Sequence, residues 1–348
     1  MRRWIILFSA ALLVVIVVVL LSARRGPEPK VITIRELLNG RRITYNQTLN
    51  GKYRRQILSS YVLRPASNLN WSPDDTSMII VNSDGQVYRY GFYSGQLERL
   101  DCPLCSFPGV DVQWTEDGSG FFIIASTELR IFHNNTWYKY SNGDVAIASA
   151  YWNEDRIVLT DFLSRMISIN ADGGDRIDMN REFDTLIDVH DDAMYTFNPM
   201  VLNRIDLVDH LTRPLVLFEP MVHNYTTPAI SPDERLLIYV GQDHVPYLVD
   251  LKSRDSSPLV NTALCTGRCA FRWSSDSKHI LIFNEERVTG ATYWFHADLT
   301  SRTIQRLTDS GSALDAAWVP LAGLNWHPVW LVVAAFGFVA PIGLRIMV

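Results

Sequence analysis

Four cysteines stand in two close pairs, Cys102-Pro-Leu-Cys105 and Cys265-Thr-Gly-Arg-Cys269. Such spacing can serve three chemistries: a dithiol redox couple, half of a four-thiolate zinc site, or a local disulfide. A redox Cys-x-x-Cys needs a helix N-terminus to lower its thiol pKa, and no βαβ pattern surrounds Cys102. The even count and tight pairing favour two disulfides and an oxidising compartment. Among the acids, Asp84, Asp161, Asp243 and Glu285 sit at the ends of apolar runs or in the turns after them. If these carboxylates converge, they could share general acid and base work on a glycan. His244, beside Asp243, is a further ligand candidate.

The rest of the chemical inventory is thin. The eight histidines, at 133, 190, 210, 223, 244, 279, 296 and 327, are scattered and read as loop or surface residues. Asp188, Asp191 and Asp192 could bind a cation or form a solvated acidic loop. Tyr93, Trp137, Tyr138 and Trp294 could form a sugar platform, but aromatics between strands are usually core. Asn46, Asn134 and Asn224 open Asn-x-Thr glycan acceptor patterns, which are common by chance. The sequence contains no Gly-x-Ser-x-Gly, His-Glu-x-x-His, EF-hand loop or phosphate-binding glycine loop. No cofactor and no metal are expected.

The elements that position these residues recur. Leu69 to Leu100 reads as a strand ending in Trp71, a Ser-Pro-Asp-Asp turn, the apolar run Met78 to Val81, an Asn-Ser-Asp-Gly turn, the strand around Val87 to Tyr90 and a short outer strand. Similar phrases return with their aromatic slot at positions 114, 152, 190, 230, 273 and 318, in steps of 38 to 45 residues. Four strands per unit of that length describe a propeller blade, whereas unrelated hairpins in a sandwich would not keep one internal order.

WSPDD, WTEDG, ISPDE and WSSDS, each followed by an apolar run, resemble the TolB-type propeller repeat over residues 61 to 320. The third unit matches weakly and the fourth poorly. The resemblance implies an extracytoplasmic propeller that binds proteins, peptides or glycans; such propellers also accompany serine peptidases as non-catalytic domains. The fold expected is all-β, a seven-bladed β-propeller, with six blades as the alternative. Seven blades require sharing. The last unit offers only an inner strand near Trp318, and runs at residues 31–34, 42–49 and 55–62 would supply the other three. The cysteine pairs then open the second and sixth blades, which are not neighbours, so a shared zinc is disfavoured.

Both ends are membrane-like. Residues 4–21 carry no charge and lie between Arg2-Arg3 and Arg24-Arg25; residues 326–344 are uncharged and end at Arg345. A cleaved signal peptide is the rival for the first, but Leu21 fits the cleavage rule poorly. The expected organisation is a transmembrane helix at residues 1–23, a propeller at 30–320 and a second transmembrane helix at 326–345. The flanking cations of the first segment would place the propeller inside the cell; the cysteines favour the extracytoplasmic side of the cell membrane, and that is the expectation adopted. Formal net charge is −5, and residues 24–60 hold nine Lys/Arg against two Asp/Glu, so the rest is more acidic still. That excludes a nucleic-acid partner on electrostatic grounds. The expected partners are membrane lipid, through two helices, and a protein, peptide or glycan ligand. A non-catalytic binding or scaffold module is the first reading; a glycan hydrolase or lyase with carboxylates at the channel mouth is the alternative. Ligands are expected on the face that carries the cysteine loops and the turns at 82–86, 240–245 and 284–290.

Overall fold

The serine that follows the aromatic residue closes a turn. In a computed structural model of the chain, Ser72 Oγ accepts the N–H of Ser77 at 3.0 Å, while the Ser72 N–H donates to the Ser77 carbonyl at 2.8 Å. Ser231 with Leu236 and Ser274 with His279 repeat this pattern, and Thr115 with Gly120 does so with a threonine hydroxyl. The hydroxyls of Ser231 and Ser274 also donate to Asp233 at 2.6 Å and Asp276 at 2.5 Å. Three of these turns carry one left-handed residue: Gly118 (φ 72°), Glu234 (52°) and Ser277 (56°). The recurring phrase therefore encodes the turn between the first and second strands of a blade.

The structure describes residues 31–319 apart from 39–40, 50–53, 60–67, 74–75, 93, 104, 106–110, 116, 164, 180–184, 191–192, 208–210, 220–221 and 223–225. Among the described residues there are seven antiparallel sheets, which settles the blade count at seven rather than six. Six sheets have four strands. The first blade has three, Ser77–Val81, Val87–Gly91 and Leu97–Leu100; its inner strand is reduced to one bridge from Trp71 to Met78. The poorly matching fourth unit is a full blade, Thr185–His190, Ala193–Asn198, Val201–Asp206 and Thr212–Leu217.

The seventh blade is shared as expected. Its inner strand, Ala313–Val319, pairs with Val31–Leu38, followed outward by Arg41–Thr48 and Arg54–Ser59. Val31 lies opposite Val319, so the chain enters and leaves the propeller at one corner of this blade. That corner lies on the face of the first-to-second-strand turns. Closing the ring this way leaves no inner strand unpaired at the seam. The second strands are buried almost completely, as at Met78, Ile79, Ile80 and Val81, and pack between neighbouring sheets. Trp137, Tyr138 and Trp294 all pack in core clusters, as their strand positions implied. Among the described residues no helix is long and apolar enough to cross a membrane. The two expected transmembrane helices lie outside the described residues.

Candidate ligand-binding cleft

The expected acids stand on four different blades. Asp84, Asp161, Asp243 and Glu285 occupy the first, third, fifth and sixth blades, at or beside the second-to-third-strand turns. Asp84 is an exposed turn residue. Asp161 is buried and fully engaged: it accepts the N–H groups of Leu163 and Arg165, the Asn142 amide at 3.1 Å and the Arg165 guanidinium at 2.7 Å. Burial works against its charge, but the bonds from Arg165 and Asn142 prevail and its pKa is lowered. Asp243 accepts the Tyr247 hydroxyl at 2.7 Å, which pushes that phenol up to about 12. His244 contacts the Cys265 carbonyl through Nδ1 at 3.1 Å, and its own carbonyl accepts the Cys265 N–H. Glu285 donates its backbone N–H to Arg268 beside the second cysteine loop. The cysteines form the two expected disulfides, Cys102–Cys105 and Cys265–Cys269, with Cα separations of 5.3 and 5.7 Å. These residues hold turns and loops in shape.

A second group of charges, not singled out as carboxylates with a role, joins the inner strands. Arg272 of the sixth blade donates to the Ala316 carbonyl (2.6 Å) and the Leu69 carbonyl (2.9 Å), and pairs with Asp315 at 3.0 Å. Asp315 accepts the Leu69 N–H in turn. One ion pair thus ties the sixth, seventh and first blades, supplying the hydrogen bonds that the reduced inner strand of the first blade lacks. Asp111 accepts the Asn68 amide; burial raises its pKa and the Arg272 charge opposes the rise. Burial, then the charges of Asp188 and Asp111, raise the Tyr151 phenol.

The indole groups show where the ring departs from its own pattern. Trp114 Nε1 donates to the Asn70 carbonyl (3.3 Å), Trp273 to Ala229 (3.1 Å) and Trp318 to Arg272 (3.0 Å). In each case the acceptor immediately precedes the aromatic slot of the preceding blade. Trp71 bonds Thr33 instead, at 3.0 Å. Trp152, in the same slot of the third blade, has its Nε1 buried and without a hydrogen-bond partner; by the rule it should reach the Gln113 carbonyl. Its ring lies against Phe122 and His133, and His133 Nδ1 is likewise buried without a partner.

The cause is local. Trp71, Trp114 and Trp273 pair with residues seven positions on, whereas Trp152 pairs with Ile157, five on, across a two-residue turn with Glu154 at φ 53°. In the fourth blade the matching pair is Val189 with Met194, so Val189, not His190, holds the aromatic slot. Two short turns and one small side chain lower the rim there. The result is a cleft of about 590 Å³ on the first-to-second-turn face, walled by Trp114, Trp152, Tyr151 and His133. Gln113, Thr115, Asp117, Ser119, Asn153 and Glu154 supply its polar groups, with Val189 and Pro232 at the inner side. The Ser119 N–H and the Thr115 hydroxyl hold the Asp117 carboxyl down at about 2, so it is an anionic acceptor. The volume falls within the range of about 300–1,000 Å³ for small-molecule sites.

No family model matches the chain, and no curated protein matches it. Solved structures do. A propeller from Bacteroides fragilis assigned as a 6-phosphogluconolactonase aligns with 12% identity and a TM-score of 0.55, covering 85% of this chain and all of that one. TolB from Acinetobacter baumannii aligns with 13% identity and a TM-score of 0.52, covering 84% of this chain and 67% of its own. At such identities the likeness is one of fold: a TolB-like, seven-bladed propeller.

Proposed function

We propose that the chain is a membrane-tethered propeller that binds a ligand without turning it over, and that the cleft between the second and third blades, on the face opposite the turns where the sequence suggested a ligand, is the binding site. The cleft carries this reading, because aromatic walls and polar groups line it and the Trp152 indole there lacks the inter-blade hydrogen bond that Trp114, Trp273 and Trp318 make. Hydrolysis would need one carboxyl kept protonated beside one ionised. Asp117 is ionised, and the carboxyl whose pKa burial raises, Asp111, is engaged with Asn68 on the neighbouring inner strand. A phosphosugar substrate, as the Bacteroides fragilis neighbour's name suggests for that protein, would meet Asp117 and Glu154 and no Lys or Arg among the described lining residues. Tethering is supported by the two uncharged sequence segments at residues 4–21 and 326–344; the propeller's own first and last described residues, Val31 and Val319, lie opposite each other. The disulfides support an extracytoplasmic site.

The test uses the full chain and a Ser119→Trp variant that fills the cleft. Ligand captured by the parent and lost by the variant, and recovered chemically intact, is the expected result. Recovery of a cleaved product would refute the non-catalytic reading. Equal capture by both proteins would refute the cleft.

A further inference from the structure

We infer that this cleft recognises a neutral saccharide, seated against the Trp152 indole; the inference rests on the cleft being the binding site. Trp152 Nε1 is a donor shielded from bulk water with no acceptor in the protein, at a position where three other blades supply one. An unsatisfied buried donor is costly, and this one has almost no accessible surface, so an occupant that brings an acceptor reaches it by turning the indole toward the cleft. The Gln113 and Asn153 amides and the Ser119 hydroxyl are further donors in the lining, and Asp117 and the Asn153 and Gln113 oxygens are acceptors. An occupant must therefore both donate and accept along one edge.

Charge narrows the class. With Asp117 and Glu154 in the lining and no Lys or Arg among the described lining residues, an anionic ligand is repelled. A lone ammonium or guanidinium group would suit the carboxylates and the aromatic faces, but it has no acceptor to offer the indole N–H. A pyranose ring meets all these demands. Its hydroxyls donate and accept, and its C–H face packs on an aromatic wall.

The experiment takes the full-length chain in a detergent without a sugar headgroup and offers an array of neutral oligosaccharides, α- and β-linked glucans and N-acetylglucosamine oligomers. Titration calorimetry then follows each hit. We expect saturable binding that Trp152→Phe weakens by about five- to tenfold, the loss of one hydrogen bond to a retained ring. Trp273→Phe, at the same slot of the sixth blade, should leave the affinity unchanged. The same saccharide offered free and as a glycolipid in phosphatidylcholine vesicles distinguishes a soluble glycan from a lipid-borne one; binding in either form supports the inference. Unchanged affinity in a folded Trp152→Phe protein overturns it, as does the absence of any saccharide hit. A basic peptide that binds the parent and is lost in Ser119→Trp would overturn the saccharide while leaving the binding cleft in place. Loss of neither ligand in Ser119→Trp would remove both.

Discussion

Replacing Arg272 with Met should weaken the closed ring at one seam. The substitution keeps an apolar stem and removes the guanidinium that bonds Leu69 and Ala316 and pairs with Asp315. Asp315 has only 12% of its side chain exposed, so its charge is left without its nearest cation, although Arg35 stands opposite it on the neighbouring strand. Breaking a fully buried pair from one side costs about 3–5 kcal/mol. Arg272 is 31% exposed, so water screens part of this, and a loss of about 2–3 kcal/mol is expected. In a domain of this length each kcal/mol moves the melting temperature by about 2 °C, which gives a drop of about 4–6 °C. Urea unfolding of Arg272→Met, Asp315→Asn and the double variant measures the coupling directly, and about 1–2 kcal/mol of non-additivity is expected. A single-variant loss below about 1 kcal/mol, or strict additivity, would show that strand pairing alone closes the ring.

Three other outcomes follow from the same geometry. Each disulfide closes a loop of only four or five residues, so reduction should cost about 2 kcal/mol per bridge, read as a shift of the urea midpoint with and without reductant. Trp273→Phe should cost about 1 kcal/mol because its N–H bonds Ala229, while Trp152→Phe should cost close to nothing; equal losses would contradict the hydrogen-bond pattern. Burial raises the Asp111 pKa above 3.8, so its contribution to stability is full below that value and is lost as pH rises through the folded pKa. Asp111→Asn should therefore match the parent at about pH 3 and become progressively more stable than it toward neutral pH, as melting profiles across pH would show.

The blade repeat was legible because each phrase solves the same local problem. Trp71-Ser72 and Trp273-Ser274 place an indole at the blade junction and a hydroxyl across the turn, and both tasks are set within eight residues. The shared seventh blade was legible for a different reason: a lone inner strand at Trp318 and three unpaired runs after residue 30 leave one arrangement without open edges. The fourth blade was nearly invisible, since Val189 replaces the aromatic residue and two residues replace the Ser-x-Asp turn.

The proposed cleft was hidden by that same departure. Asp84, Asp161, Asp243 and Glu285 stand at or beside turns, and their residue types bind ligands and close turns with equal ease. Asp161 shows the second role, with its carboxylate spent on Leu163, Arg165 and Asn142. Trp152 carried a signal that only comparison between units reveals: Trp-Asn-Glu-Asp where the first unit reads Trp-Ser-Pro-Asp, with two residues fewer between paired positions. In a repeat protein the common positions are consumed by the architecture. A position that keeps the aromatic residue but loses its turn is released from that task, and its indole N–H, unlike those of Trp114, Trp273 and Trp318, makes no hydrogen bond to the preceding blade.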